Sequence, residues 1–172
     1  LFQCTTCASC TENCPSGVKV PEIIKQVRKD MVHIGSCHPA FKGMNEVLDK
    51  NTNIYAEDGP PDFDREKNKK AEYVYFIGCV GAYREDESTE STLDLLDKLG
   101  VNYTLIDEVC CSGVLEDVGY RINDSLAKKN IDLILATGAK TVITGCPYCS
   151  RTFNSKTQYD ALREKGIKIM HI

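Results

Sequence analysis

The sequence predicts an α/β protein, with a Rossmann-like parallel sheet over residues 71–172 behind a small α-helical module over residues 1–50. Two observations carry that expectation. From Tyr73 onward, short β-prone runs alternate with stretches of helical periodicity. Before that point lies a block of four closely spaced cysteines followed by helical patterns, separated from the rest by a polar stretch. Strands rich in Val and Ile that alternate with helices form βαβ units, and right-handed crossovers make their sheet parallel.

The opening block is Cys4, Cys7, Cys10 and Cys14, with Pro15 stopping regular structure after it. Pro21 suits a first helical position, and Ile23, Ile24, Val27, Met31 and Ile34 follow at helical spacing. An amphipathic helix is expected, with that stripe inward and Lys25, Arg28 and Lys29 in water, ending at Gly35. A weaker helix is expected over residues 41–48. Residues 51–70, with Gly59-Pro60-Pro61 inside them, are polar and aperiodic, so they read as a linker or surface excursion holding the domain boundary. Lys67, Lys69 and Lys70 read as solvated charges of that segment.

Residues 73–77 are a β-prone run ending at Gly78-Cys79, and a helix with Leu93, Leu96 and Leu99 runs on to Gly100. Residues 101–106 form a second strand leading to Cys110-Cys111. One long helix carrying Leu115, Val118, Ile122 and Leu126 is expected to reach about residue 136. A third strand over residues 141–144 ends at Gly145-Cys146, a helix over residues 150–165 follows, and residues 167–171 form the fourth strand.

A length of 172 residues allows one ordinary domain, or a small domain attached to a larger one, and 42% hydrophobic residues support a packed core. No apolar run approaches the ~18 residues of a membrane span, and no signal peptide is visible. The start at Leu1, just before a cysteine motif and without an initiator Met, points to a fragment or a processed product. A formal net charge of -4 disfavours nucleic acid as a partner.

Ten cysteines stand out. An even number could frame a secreted disulfide scaffold, but such scaffolds are short and loop-rich. CxxC pairs and an adjacent Cys–Cys pair are natural as shared ligands and awkward as separate bridges.

Cys4-x2-Cys7-x2-Cys10-x3-Cys14-Pro15 is the ferredoxin-type [4Fe–4S] spacing. Two-residue steps let successive thiolates converge on one small inorganic core. Four thiolates would also satisfy zinc, although zinc motifs more often set two CxxC pairs well apart. The second constellation is Cys79, Cys110-Cys111 and Cys146-x2-Cys149. On the expected strands, all five fall at the carboxyl edge of one parallel sheet, where α/β proteins gather their ligands. Helix starts at that edge add partial positive charge that favours thiolates. Burial as small hydrophobes could explain one or two of these cysteines, not five. Cys37 reads as a packed thiol, His33, His38 and His171 show no ligand spacing, and Arg151 reads as a helix-start charge.

The pattern Cys…CysCys…CysxxCys resembles the cysteine-rich CCG domain of heterodisulfide reductase and related proteins, including iron–sulfur subunits of glycerol-3-phosphate dehydrogenase, glycolate oxidase and lactate-utilisation enzymes. The flanking words resemble the family too: Tyr75-Phe76-Ile77-Gly78-Cys79, Cys110-Cys111-Ser112-Gly113, and the run from Gly145 through Cys146-Pro147-Tyr148-Cys149 to Phe153. The N-terminal motif is similar to the second motif of the family's α-helical ferredoxin module, and module followed by CCG domain is the D-type order. Members usually carry two ferredoxin and two CCG motifs, where this chain has one of each, and Ser112 stands where the family name has Gly.

The resemblance implies an oxidoreductase subunit that relays electrons from a [4Fe–4S] cluster to a CCG centre that reduces a disulfide, or, in the flavin-linked relatives, passes them to quinone. It makes Cys79, Cys110, Cys111, Cys146 and Cys149 the five ligands of a noncubane [4Fe–4S] cluster or of zinc, with Cys110 and Cys111 at the redox site. Closure of the N-terminal cluster by Cys14 or by a thiolate from a further segment stays open. The implied partners are flavin or membrane subunits of an oxidoreductase, and the implied location is the cytoplasm, with the inner face of the membrane reached through a partner.

Overall fold

Strand β1 (Tyr73–Phe76) forms the middle of the protein, because both its faces are covered. In the computed structural model, which describes residues 1–59 and 62–172, β1 pairs in parallel with β2 (Tyr103–Thr104) and with β3 (Thr141–Thr144), and β3 pairs with β4 (Lys168–His171). The order is β2-β1-β3-β4, all parallel, as expected from the βαβ pattern. Pro60 and Pro61 of the expected linker lie outside the described residues.

Side chains alternate along β1. Val74 and Phe76 join Val142, Ile134, Phe153 and Leu162 in one buried cluster, while Tyr75 and Ile77 join Leu93, Leu96 and Leu105 in another. Helices supply both layers. Ahead of the sheet come α1 (Ser9–Glu12), α2 (Val20–His33) and α3 (Met44–Asn51). Then α4 (Cys79–Tyr83) and α5 (Asp86–Lys98) connect β1 to β2, α6 (Gly113–Asp117) and α7 (Asp124–Thr137) connect β2 to β3, and α8 (Pro147–Ser155) and α9 (Asp160–Glu164) connect β3 to β4. The chain leaves β1 toward β2 on one side and places β3 on the other. Strand order therefore reverses between β1 and β3, the point where open sheets of this kind bind ligands. No helix is long and apolar enough to cross a membrane among the described residues.

The largest departure from expectation is the face of α2. Arg28, expected in water, is only 3% exposed, whereas Ile23 is 55% and Ile34 74% exposed. The guanidinium turns the helix by donating to three carbonyls, Asp117 O at 2.5 Å, Leu1 O at 2.9 Å and Cys4 O at 2.6 Å. An array of fixed N–H donors that finds acceptors in this way outweighs the burial of Ile23, Val27 and Ile34, all three of them exposed.

The expected long helix is two helices. Asn123 caps α7 by accepting from the Ser125 and Leu126 amides, and Gly119 turns the chain at φ 101° between them. The helix expected over residues 150–165 starts earlier, with Pro147 in its first turn, and breaks at Lys156. There Arg163 donates to the Phe153 carbonyl and to the Lys156 carbonyl, which also accepts the Tyr159 amide at 3.0 Å. The second strand is two residues long, the helix expected over residues 41–48 lies at Met44–Asn51 after a 3-10 turn at Pro39–Phe41, and Leu99 points outward. The polar segment lies along the α/β body. Phe63 is buried, Arg65 pairs with Asp94 and Asp97 at 2.8 Å, and Lys67 bridges to Leu105 beside β2.

Candidate metal centres

All ten cysteines are free thiols, and nine fall into two groups. The five expected at the sheet's carboxyl edge meet there. Cys79 begins α4 just after β1, Cys110 and Cys111 follow β2, and Cys146 caps α8 with Cys149 in its first turn. Their thiols touch in series: Cys79 with Cys110, Cys110 with Cys111, Cys111 with Cys149, and Cys149 with Cys146. Cys149 Sγ donates to Cys111 Sγ at 3.3 Å. The sulfurs form a row, and among the described residues no three His, Cys, Asp or Glu side chains surround a point that could hold a single ion.

Protons are shared unevenly along this row. The Cys110 and Cys149 thiols hydrogen-bond to Cys111 and pull its pKa well below that of an ordinary thiol despite burial, with the Gly113 amide and the Thr152 hydroxyl assisting. Cys110 and Cys149, as the donors, are pushed up. The Cys149 thiol also lowers Cys146, to about 7, against the opposing effect of burial. Two positions of the row are thus disposed to be thiolates before anything binds.

The N-terminal group is more open. Cys7 and Cys10 are exposed, and Cys4 and Cys14 are partly covered. The Ser9 amide and the Thr5 hydroxyl hydrogen-bond to the Cys7 sulfur and lower its pKa, and the amides of Val18, Ser16 and Gly17 do the same for Cys14. Thr6 (φ 56°) and Ala8 (φ 65°) flank Cys7 in the left-handed region, which costs a residue with a Cβ roughly 1–2 kcal/mol. Ser112, next to Cys111, has φ 54°. The turn after the Cys–Cys pair bends at Ser112; Gly113 starts α6, and a Cβ there would collide with the Thr152 hydroxyl. Cys37 stands apart from both groups and receives the Tyr120 hydroxyl at 3.6 Å.

Residues 73–154 match the family described as a cysteine-rich domain, CCG. The match spans all five thiols of the row. Residues 73–154 of the chain carry a CCG cysteine-rich domain. It is 32% identical, over 98% of its length and 44% of the relative's, to the D subunit of the dihydromethanophenazine:CoB–CoM heterodisulfide reductase of Methanosarcina acetivorans. Identity is 30% over the same shares with the corresponding protein of Methanosarcina mazei. The EtfAB:quinone oxidoreductase of Syntrophomonas wolfei is 25% identical over 86% of the chain and 24% of its own length. The chain thus spans less than half the length of these relatives. No solved structure matches.

Three CCG-domain features went unread in the sequence. Glu108, two residues before the Cys pair, accepts the Ile77 amide at 2.8 Å and the Gly78 amide at 2.6 Å, clamping the turn that delivers Cys79. Desolvation pushes its carboxyl up to about 8, with those amides opposing. Arg151 is no simple helix-start charge, since it pairs with Asp117 at 2.5 Å and lies 4.2 Å over the Tyr148 ring. A cleft of about 490 Å³, between Val80, Glu85, Thr89 and Thr92 on one wall and Cys146 and Tyr148 on the other, opens at the reversal point of the sheet.

Gly78 connects Glu108 to the row. Its φ is 83°, and a Cβ on it would stand 2.9 Å from Cys146 Cβ and 3.2 Å from Cys149 Sγ. Gly78→Ala is therefore expected to part Cys79 from Cys146 and Cys149 and to lower metal retention by the CCG domain, read by metal analysis after gel filtration. Unchanged metal content in a folded variant would show that this close approach does not matter.

Proposed function

We propose that this chain is the iron–sulfur electron-transfer part of a heterodisulfide reductase-type oxidoreductase. In this reading Cys4, Cys7, Cys10 and Cys14 hold a [4Fe–4S] cluster on a module of residues 1–50. Cys79, Cys110, Cys111, Cys146 and Cys149 hold a second cluster on a CCG domain of residues 71–172, and residues 51–70 join the two. The observation that carries the proposal is the row of five free thiols at the sheet's carboxyl edge.

Soft thiolates are the ligands that iron–sulfur clusters use. A single zinc ion takes four ligands, whereas five thiols, two of them adjacent in the chain, would suit a larger cluster. When bound, such clusters carry single electrons. The chain's own part is to hold the thiolates ionised through amides and hydroxyls, to shield the CCG centre, and to leave the N-terminal group accessible to a donor. In this reading electrons would enter at the exposed Cys7 and Cys10 and proceed to the CCG centre, a direction that the contrast in exposure supports. The names of the relatives support a disulfide or a quinone-linked acceptor, and flavin or membrane subunits as partners.

Rapid mixing of the anaerobic protein with a low-potential donor tests the relay. The N-terminal signal is expected to change first and the CCG signal second, and Cys7→Ser should slow reduction of the CCG centre by about tenfold or more. Equal rates in the variant would mean that the CCG centre is reduced directly.

A further inference from the structure

The two CxxC segments meet at one carboxylate oxygen. Thr6 precedes Cys7 in the first segment and Tyr148 precedes Cys149 in the second, and both hydroxyls donate to Asp117 Oδ2, Thr6 at 2.9 Å. Arg151 reaches the same oxygen at 2.5 Å, and Lys25 stands 3.2 Å from Oδ1. Arg28 ties the Asp117 carbonyl to the carbonyls of Leu1 and Cys4. The carboxylate itself is buried: Asp117 is 6% exposed, and Thr6 and Arg28 are buried as well, while the Arg151 side chain is 38% exposed. Behind them, Gly119 lets α2 come so close that a Cβ at that position would stand 2.5 Å from Arg28 O.

A surface ion pair would not need this. One buried carboxylate holds the neighbour of a cysteine in each group, so its position fixes both groups at once. Lys25, Arg28 and Arg151 also place three positive charges around the meeting point. Two anionic clusters repel each other, more strongly where water is excluded, and an electron arriving at one adds to that charge. Cations between them offset the repulsion.

We infer that Asp117 is a positioning residue for electron transfer between the two centres: it fixes their separation and joins Cys7 to Cys149 through Thr6 and Tyr148 by two hydrogen bonds. This rests on the relay reading above. With clusters held at Cys4, Cys7, Cys10 and Cys14 and at the five CCG thiols, one electron would leave the first, oxidising it, and enter the second, reducing it, with no proton and no covalent bond changing place. Asp117 touches neither cluster and acts through the segments it holds.

The test uses Thr6→Val, which is isosteric, and Tyr148→Phe, each removing one hydroxyl, with Asp117→Asn as the stronger change. In the anaerobically purified chain, Thr6→Val and Tyr148→Phe should keep iron and sulfide at both sites. Reduction of the CCG centre through the N-terminal cluster should slow by about tenfold, and the magnetic interaction between the two reduced centres should weaken. In metal-free protein, Asp117→Asn and Thr6→Val should speed amide hydrogen exchange across residues 4–8 while leaving β1 and β3 protected. Full clusters with unchanged transfer rate, magnetic interaction and exchange in all three variants would overturn the inference. Wild-type protein without iron or sulfide would overturn the relay reading instead, and the metal-free exchange would still decide whether Asp117 holds the two segments together.

Discussion

Cys111→Ser is expected to empty the CCG site while the N-terminal cluster keeps its signal. Cys111 occupies the middle of the row, contacting Cys110 on one side and Cys149 on the other, and it is the buried position most strongly disposed to ionise. A serine hydroxyl is a hard, far less acidic donor and would neither bind iron as thiolate does nor keep the charge pattern of its neighbours. Iron and sulfide should fall by the whole share of the second site, and its paramagnetic signal should vanish. Cys110→Ser should act the same way, because Cys110 joins Cys79 to the row. Should either variant keep the full signal, that cysteine only packs, and an ordinary four-thiolate site replaces the five-thiolate one.

Arg28→Met is expected to cost about 2–6 kcal/mol of stability, the usual effect of leaving two buried carbonyl acceptors unsatisfied at ~1–3 kcal/mol each. The methionine fills much of the space but removes the guanidinium donor from the carbonyls of Leu1, Cys4 and Asp117, leaving Leu1 O only the 3.4 Å bond from the Cys4 amide. Denaturant unfolding measures the loss, and protease cleavage near residues 1–20 should rise well before the α/β body opens. A loss below about 1 kcal/mol would mean that the guanidinium is solvated in solution. Its place in α2 would then be the one the apolar stripe suggests.

The strands were legible because their β-branched and aromatic residues stand between glycines, and the cysteine groups because ligand spacing survives without knowledge of the fold. Helix breaks were less legible. Leu115, Val118, Ile122 and Leu126 keep helical spacing across a gap, and only Asn123 as a cap signals the restart at Asp124. The face of α2 could not be read at all. Its apolar stripe is real, but the partners of Arg28 lie up to 89 residues away and are main-chain carbonyls, which leave no mark in composition. Asp117 eluded sequence reading for the same reason, its bond to Thr6 spanning 111 residues. Glu108 acts on two backbone amides, and nothing about a glutamate before a Cys pair announces that role.

Iron, acid-labile sulfide and zinc, determined together on the full chain purified without oxygen, test the central claim most directly. The account predicts brown protein holding at least one four-iron cluster's worth of iron with matching sulfide, in which Cys10→Ser and Cys149→Ser remove separate portions. Colourless protein with stoichiometric zinc and no sulfide would contradict it and make the cysteine groups structural supports of an interaction module.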